Sequence, residues 1–263
     1  MALETRFALK YIRYFLQSDT AYAVHSPFVF TFTQEVLHDK RAFYAFEAIE
    51  KRRKQLLSDT HLIPVSDLGA GASLQKVTER RVCDIARSAA KSPKYGKLLF
   101  RLVNHFHPEN IIELGTSLGI SGAYLASAGT HSQLQTLEGS EAIADIALET
   151  FQELKLQNIS IVRGNFDDTL APVLRRIQQL DMAFIDGNHR KEPTLRYFSQ
   201  CLTQIHDSSL IIFDDIHWTN EMEAAWETIK ANPAVTLTID LFFLGLVFFR
   251  KDFKEKQHFV LRF

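Results

Sequence analysis

Residues 109–141 constrain the fold more than any other part of this chain. They read Glu-Asn-Ile-Ile-Glu-Leu-Gly-Thr-Ser-Leu-Gly-Ile-Ser-Gly and run on to Leu-Gln-Thr-Leu-Glu-Gly-Ser-Glu. The short apolar run at 111–114 predicts a strand that breaks at Gly115 and enters a helix. About twenty residues further on, a second strand ends in an acid, Glu138. A strand, a tight glycine turn, a helix and an acid at the tip of the next strand define a nucleotide-type site in a doubly wound sheet. The glycine admits close backbone approach, and the acid accepts from a ribose hydroxyl pair. Gly-Thr-Ser-Leu-Gly lacks the G-x-G-x-x-G spacing that seats a pyrophosphate, and it lacks the lysine of a P-loop. The expected ligand therefore carries adenosine without a chain of phosphates.

The rest of the chain agrees with this reading. From residue 94 onward, predicted strands at 111–114, 133–137, 159–162, 181–185 and 210–213 alternate with helices at 95–106, 121–128, 141–154, 169–178, 194–204 and 220–231. Such alternation argues a mostly parallel sheet covered on both faces. Two β-rich runs follow Asn232-Pro233, at 235–240 and 244–249, and their short connection permits only antiparallel pairing. The tail at 257–263 is expected to be an edge strand or a packed strap. The expected architecture is a seven-stranded, Rossmann-like α/β sheet with its last strand antiparallel.

Residues 1–92 read as a helical cap on a core of 93–263. Phe7, Leu9, Tyr11, Ile12, Phe15 and Leu16 give a rough helical stripe. Ser26-Pro27 reads as an N-cap with proline at the first helical position, opening a helix to about residue 38. A third helix, about 42–57, ends in Lys51-Arg52-Arg53-Lys54, a run suited to the helix dipole and more simply read as a solvated face. Asp67-Leu68-Gly69-Ala70-Gly71 is a second glycine motif. The charged stretch after it supplies no apolar helix and no strand ending in an acid, so it is expected to be a loop or hairpin.

Bulk properties exclude several classes. The chain has 263 residues, 46% hydrophobic, with 30 Lys+Arg against 31 Asp+Glu. A formal net charge of −1 leaves no electrostatic footprint for nucleic acid or an anionic membrane. Charges interrupt the N-terminal apolar positions, unlike a signal peptide, and the most apolar stretch, 241–249, is too short to span a bilayer. Two cysteines, Cys83 and Cys201, fit a reducing cytoplasm better than a disulfide framework. The 21 phenylalanines point to core and interface packing, and the Phe-rich ends would suit a homodimer.

Glu-Leu-Gly-Thr-Ser-Leu-Gly-Ile-Ser resembles motif I of the class I S-adenosylmethionine-dependent methyltransferases, in the catechol O-methyltransferase-like branch. The resemblance covers about residues 95–250 and implies S-adenosylmethionine as cofactor. It places Glu113, Gly115, Thr116 and Ser117 at the methionine end, and Glu138 with Gly139 at the ribose. Gly164, Asn165, Phe166 and Asp167 fall where the family contacts adenine. Phe184-Ile185-Asp186-Gly187-Asn188-His189 and Ile211-Ile212-Phe213-Asp214-Asp215 resemble the strand-four and strand-five motifs of the metal-dependent members. By that match Asp186, Asp214 and Asp215 would hold a divalent ion, usually Mg²⁺, and Asp186 would also border the cofactor. Hard carboxylate oxygens suit such an ion. His189 stands where catechol-type relatives place a lysine, and it is the expected base for a substrate hydroxyl. His217 is the competing candidate, and Trp218 and Tyr197 either wall the acceptor pocket or pack.

The implied activity is metal-assisted O-methylation of a small molecule. A metal-independent methyltransferase and a non-catalytic binding module are the alternatives. The missing glycine pattern disfavours a nicotinamide-dependent oxidoreductase.

Overall fold

The computed structural model describes residues 2–20, 25–66 and 77–263. The glycine motif at 67–71 therefore lies outside the described residues. The chain forms two compact units, Met1–His38 with Ile177–Phe263, and Asp39–Arg176.

The first unit opens with helix α1 (Ala2–Gln17). Its packed stripe is Phe7, Tyr11 and Tyr14, whose rings all lie about 5 Å from that of Phe242. That is i, i+4, i+7 spacing, one face of a helix. Leu9, Ile12 and Leu16 of the expected stripe are exposed instead. Helix α2 (Pro27–Phe32) begins at Pro27, as expected, and continues as a π-helical turn, Thr33–Leu37. Ser26 occupies the N-cap position, but its side chain makes no capping bond; its carbonyl accepts from Phe30 N at 2.9 Å.

The second unit begins with α3 (Tyr44–Ser58). Of the four cations near its end, Lys51 and Lys54 are exposed, as a solvated face requires, while Arg52 and Arg53 are not. The Arg52 side chain pairs with Glu153 at 3.0 Å and donates to Thr150 at 3.2 Å. Arg53 is buried against Glu50 at 3.0 Å. Strands β1 (Leu62–Ser66) and β2 (Val77–Arg81) pair antiparallel, and α4 (Val82–Ala89) follows. Helix α5 (Pro93–Phe106) leads into β3 (Asn110–Leu114), then α6 (Ile120–Ala128), β4 (Gln133–Glu138), α7 (Glu141–Glu153), β5 (Ile159–Arg163) and α8 (Phe166–Leu174). β3, β4 and β5 are parallel neighbours in that order. Residues Ile120 to Ala126 of α6 are all buried, as expected for a helix that is apolar all round. α8 begins three residues earlier than expected because Asn165 caps it, accepting from Asp167 N at 3.0 Å.

The chain then returns to the first unit through β6 (Leu180–Ile185), α9 (Lys191–Cys201), β7 (Ile205–Asp214) and α10 (Asn220–Ala231). β8 (Leu237–Asp240) and β9 (Leu244–Phe248) follow as the expected antiparallel pair, Leu237 opposite Phe248. β9 also pairs antiparallel with β7, so it inserts between β7 and β8. The tail forms β10 (Gln257–Val260), parallel to β8, an edge strand beyond the seven expected. Parallel pairing dominates, with the late antiparallel strand where the sequence pattern placed it.

Candidate active site

In the second unit, strand register brings one cluster of candidate residues together. Leu114 is opposite Leu137, so the next pair along is Gly115 and Glu138. Gly115 takes φ 100°, a conformation glycine adopts without steric cost, and its N–H donates to Leu137 O at 3.0 Å. Thr116 N donates to the same carbonyl at 3.2 Å. Ser117 is left-handed at φ 47°, which turns its N–H back onto Glu138 Oε2 at 2.9 Å. Ser140 N donates to the other oxygen, Oε1, at 2.9 Å.

Both carboxylate oxygens of Glu138 are thus held by main-chain donors. Burial pushes its pKa above the ordinary value, and the amides of Ser140, Ser117 and Gly139 pull it part of the way back. The hydroxyls of Ser117 and Ser140 are buried without a hydrogen-bond partner. A fixed carboxylate with orphaned hydroxyls on its two flanking residues fits a hydroxyl-bearing ligand such as a ribose. Ser140 was not among the expected residues; Glu-Gly-Ser before a helix marks it only as an N-cap, and its side chain makes no cap bond.

Glu113 does not face outward. It is fully buried opposite Thr136, whose hydroxyl donates to Glu113 Oε2 at 2.6 Å. The Thr116 hydroxyl lies 2.6 Å from that of Thr136, which extends the chain. Glu113 is thus linked to the glycine turn through Thr136 and Thr116. Gly164 adopts φ 128° and donates to Glu138 O at 2.9 Å. Asn165 is occupied in part by capping α8, Phe166 is half-buried at the start of that helix, and Asp167 is exposed.

A separate cluster lies in the first unit. Ile185 is opposite Phe213 in the parallel β6–β7 pair, so Asp186 and Asp214 are the next residues along. His189 joins them, and ligand atoms of Asp186, His189 and Asp214 all lie within 4.8 Å of one another. His189 Nε2 is 3.5 Å from Asp186 Oδ1, and Asp214 is 2% exposed. Two carboxylates and an imidazole at this spacing are a donor set that a divalent cation fits. Asp215 is not in that group. It sits left-handed at φ 52°, and its N–H donates to Phe243 O at 2.7 Å. Asn188, also left-handed at φ 62°, donates to the Tyr197 hydroxyl at 2.8 Å.

His217 has both ring nitrogens engaged, Nε2 with Asp240 at 2.7 Å and Nδ1 with Glu223 at 3.2 Å. Burial works against its charge, yet the Asp240 and Glu223 carboxylates outweigh burial and raise its pKa. Both ring nitrogens of His217 thus face carboxylates, which favour the proton-holding form of the ring. Tyr197 is fully buried and packs, while Trp218 is half exposed with its ring 5.1 Å from that of Phe7.

Residues 112–216 match a family model described as a methyltransferase domain. A catechol O-methyltransferase of Niastella koreensis is 31% identical over 128 residues, covering 48% of this chain and 57% of that protein. An uncharacterized protein of Acanthamoeba polyphaga mimivirus is 23% identical, covering 51% of this chain and 66% of its own length. The chain thus spans less than two thirds of these relatives. The fold matches an O-methyltransferase from Bacillus cereus in complex with SAH, with TM-score 0.56 and 22% identity over 83% of this chain and 96% of that one. It also matches the SAM complex of the O-methyltransferase TomG from Streptomyces achromogenes, with TM-score 0.56 and 19% identity over 84% and 95%. The methyltransferase-domain match is confined to residues 112–216, and the solved O-methyltransferases share the fold. Among the described residues, no helix is long and apolar enough to cross a membrane.

Proposed function

We propose that this chain is an S-adenosylmethionine-dependent methyltransferase that methylates a hydroxyl of a small molecule with the help of a divalent cation. The observation that carries the reading is Glu138, fixed through both carboxylate oxygens by Ser117 and Ser140 amides at the end of β4. In this role Glu138 accepts from both ribose hydroxyls, and the turn from Gly115 to Ser117 receives the methionine end. The cofactor supplies an electrophilic methyl on a positively charged sulfur. The substrate oxygen takes that methyl, the C–S bond breaks, S-adenosylhomocysteine leaves and the hydroxyl proton must be removed.

Asp186 and Asp214 would hold the cation, most simply Mg²⁺, and Asp215 would join only if its loop rearranged. The cation would lower the pKa of a bound hydroxyl. His189 is the proton acceptor, since its ring lies beside Asp186 and Asp214 while His217 is already clamped. A second reading rests on the 3.5 Å approach of His189 Nε2 to Asp186 Oδ1, which makes His189 a third ligand. The cytoplasm is the proposed compartment, in keeping with Cys83 and Cys201, both free and buried.

Calorimetric titration of S-adenosylhomocysteine into the metal-free protein, and again with Mg²⁺, tests the cofactor site. Binding in the micromolar range, about −8 kcal/mol, is expected for the wild type and should be lost in Glu138→Ala. Absence of binding in both metal conditions would sink the reading and favour a non-catalytic module. Cation titrations of His189→Ala separate the two roles of that residue. Kept cation affinity with lost turnover makes it the base, and lost affinity makes it a ligand.

A further inference from the structure

Within the second unit, the glycine turn after β3 is held on its far side by α7. Leu118 O accepts from the hydroxyl of Thr150, a fully buried residue, at 3.0 Å. Gly119, at φ 83°, lies against the next residue of that helix, where an added Cβ would meet the Phe151 ring at 2.8 Å. The turn therefore has no slack toward α7. On its near side the Ser117 amide holds Glu138 at 2.9 Å, so a shift of Leu118 moves a donor that is its chain neighbour.

The Thr150 hydroxyl carries one proton and faces two carbonyls, Leu118 O and Ile146 O, each at 3.0 Å. Ile146 O already stands opposite the i→i−4 donor of its own helix. What aligns the hydroxyl comes from α3. Arg52 Nε donates to Thr150 Oγ1 at 3.2 Å, which occupies a lone pair and turns the O–H toward the carbonyls. The same guanidinium reaches Glu153 Oε2 at 3.0 Å and Glu149 Oε2 at 3.9 Å. Those carboxylates are 42% and 65% exposed, so the ion pairs contribute little by themselves. Their effect is directional: a planar fork anchored at its Nη ends aims Nε inward. α3 lies outside the residues that match the methyltransferase domain, so that match does not account for the contact.

We propose that Arg52 is a positioning residue for the cofactor turn, acting through Thr150 on the Leu118 carbonyl. This role rests on the methyltransferase reading, in which the turn from Gly115 to Ser117 receives the methionine end. It gives α3 a share in setting cofactor affinity.

Calorimetric titration of S-adenosylhomocysteine into the full chain tests the relay, with the melting temperature of each variant measured alongside. Thr150→Val keeps the side-chain shape, removes the hydroxyl and should weaken binding about tenfold. Thr150→Ser restores the hydroxyl and should bind within about twofold of wild type. Arg52→Met keeps the apolar stem, removes the donor and should weaken binding about threefold to tenfold. The double variant should bind no worse than Thr150→Val alone, because the arginine acts through the hydroxyl. Melting temperatures that fall while affinities stay within about twofold of wild type would make both residues merely structural and overturn the proposal. Full additivity of the two losses, or no rescue by Thr150→Ser, would overturn it as well. A wild type that binds no S-adenosylhomocysteine would instead remove the methyltransferase reading, and this role with it.

Discussion

At the residue scale, Glu138 shows how a local pattern becomes chemistry. A strand ending in an acid beside a glycine turn was readable because adjacent parallel strands run in register, and register sets Gly115 beside Glu138. Ser140 was not readable, because its contribution is a main-chain N–H and any residue supplies one. Thr136 escaped for a related reason: its link to Glu113 exists only across the strand pair. Arg52 misled because four consecutive cations look solvated, while its acid, Glu153, comes from α7, far along the chain.

The raised pKa of Glu138 has a testable sign. The unfolded chain ionises this carboxyl near its usual 4.5, and the folded chain does so at higher pH. Between the two values the folded state holds more protons, so stability falls as pH rises through that window. Cofactor binding should run the other way, because ribose hydroxyls donate to the ionised form. Affinity for S-adenosylhomocysteine should therefore fall as pH drops, with a midpoint above that of a free glutamate. Glu138→Gln should weaken binding about 10- to 100-fold, as expected when one or two charge-assisted bonds are lost, and remove the pH step. Calorimetry across pH 4–8 (about four units around the step) checks it. A midpoint unchanged in Glu138→Gln would assign the titration elsewhere.

At the element scale, the alternating core was legible from residue 93 onward because strands such as β3 and β6, buried along most of their length, read as apolar runs. β2 and α4 were not. All five residues of β2 are exposed, so it carries no apolar alternation and exists through its backbone pairing with β1. The extra half of β7, residues 205–209, is polar for a similar reason: the register shift against β6 lies there.

The loop between β7 and α10 carries His217, whose role depends on elements far apart in sequence. Asp240 from the end of β8 and Glu223 from α10 clamp its ring, and Lys10 from α1 pairs with Glu223 at 2.9 Å. Its folded pKa lies above the usual 6.5, so the ion pair stabilises fully below 6.5 and the contribution is lost as pH rises through the folded value. Wild-type melting temperature should accordingly decline across that window. His217→Gln should melt lower at pH 6 and show a flatter profile, which differential scanning calorimetry would detect. Equal slopes for the two proteins would exclude His217 as the titrating group.

At the scale of the whole molecule, the first unit is discontinuous, leaving at His38 and returning at Ile177. Its two pieces are stitched at their ends. The Tyr14 hydroxyl donates to Leu261 O. Asp19 N donates to Val260 O at 2.8 Å, and Arg262 N donates to Asp19 O at 3.1 Å. The Arg262 guanidinium also sits 3.9 Å over the Phe15 ring. No periodicity could have revealed this, because the contacts join residues more than 240 positions apart, as the Tyr14–Leu261 pair shows. Tyr14 is 5% exposed, and burial first, then the charge of Asp240, pushes its pKa up, so the hydroxyl stays protonated as a donor. Tyr14→Phe leaves the Leu261 carbonyl without that donor at a cost of about 1 kcal/mol, or roughly 2–4 °C in melting temperature for a chain of this size. Removing residues 257–263 takes away β10 and every one of these partners. The loss should exceed that of Tyr14→Phe, and α1 should become the earliest site of proteolysis. Combining Tyr14→Phe with the deletion should then cost little more than the deletion alone, since the shared bond is already gone. Full additivity of the two changes would show that α1 is held by its packing on Phe242 and not by the tail.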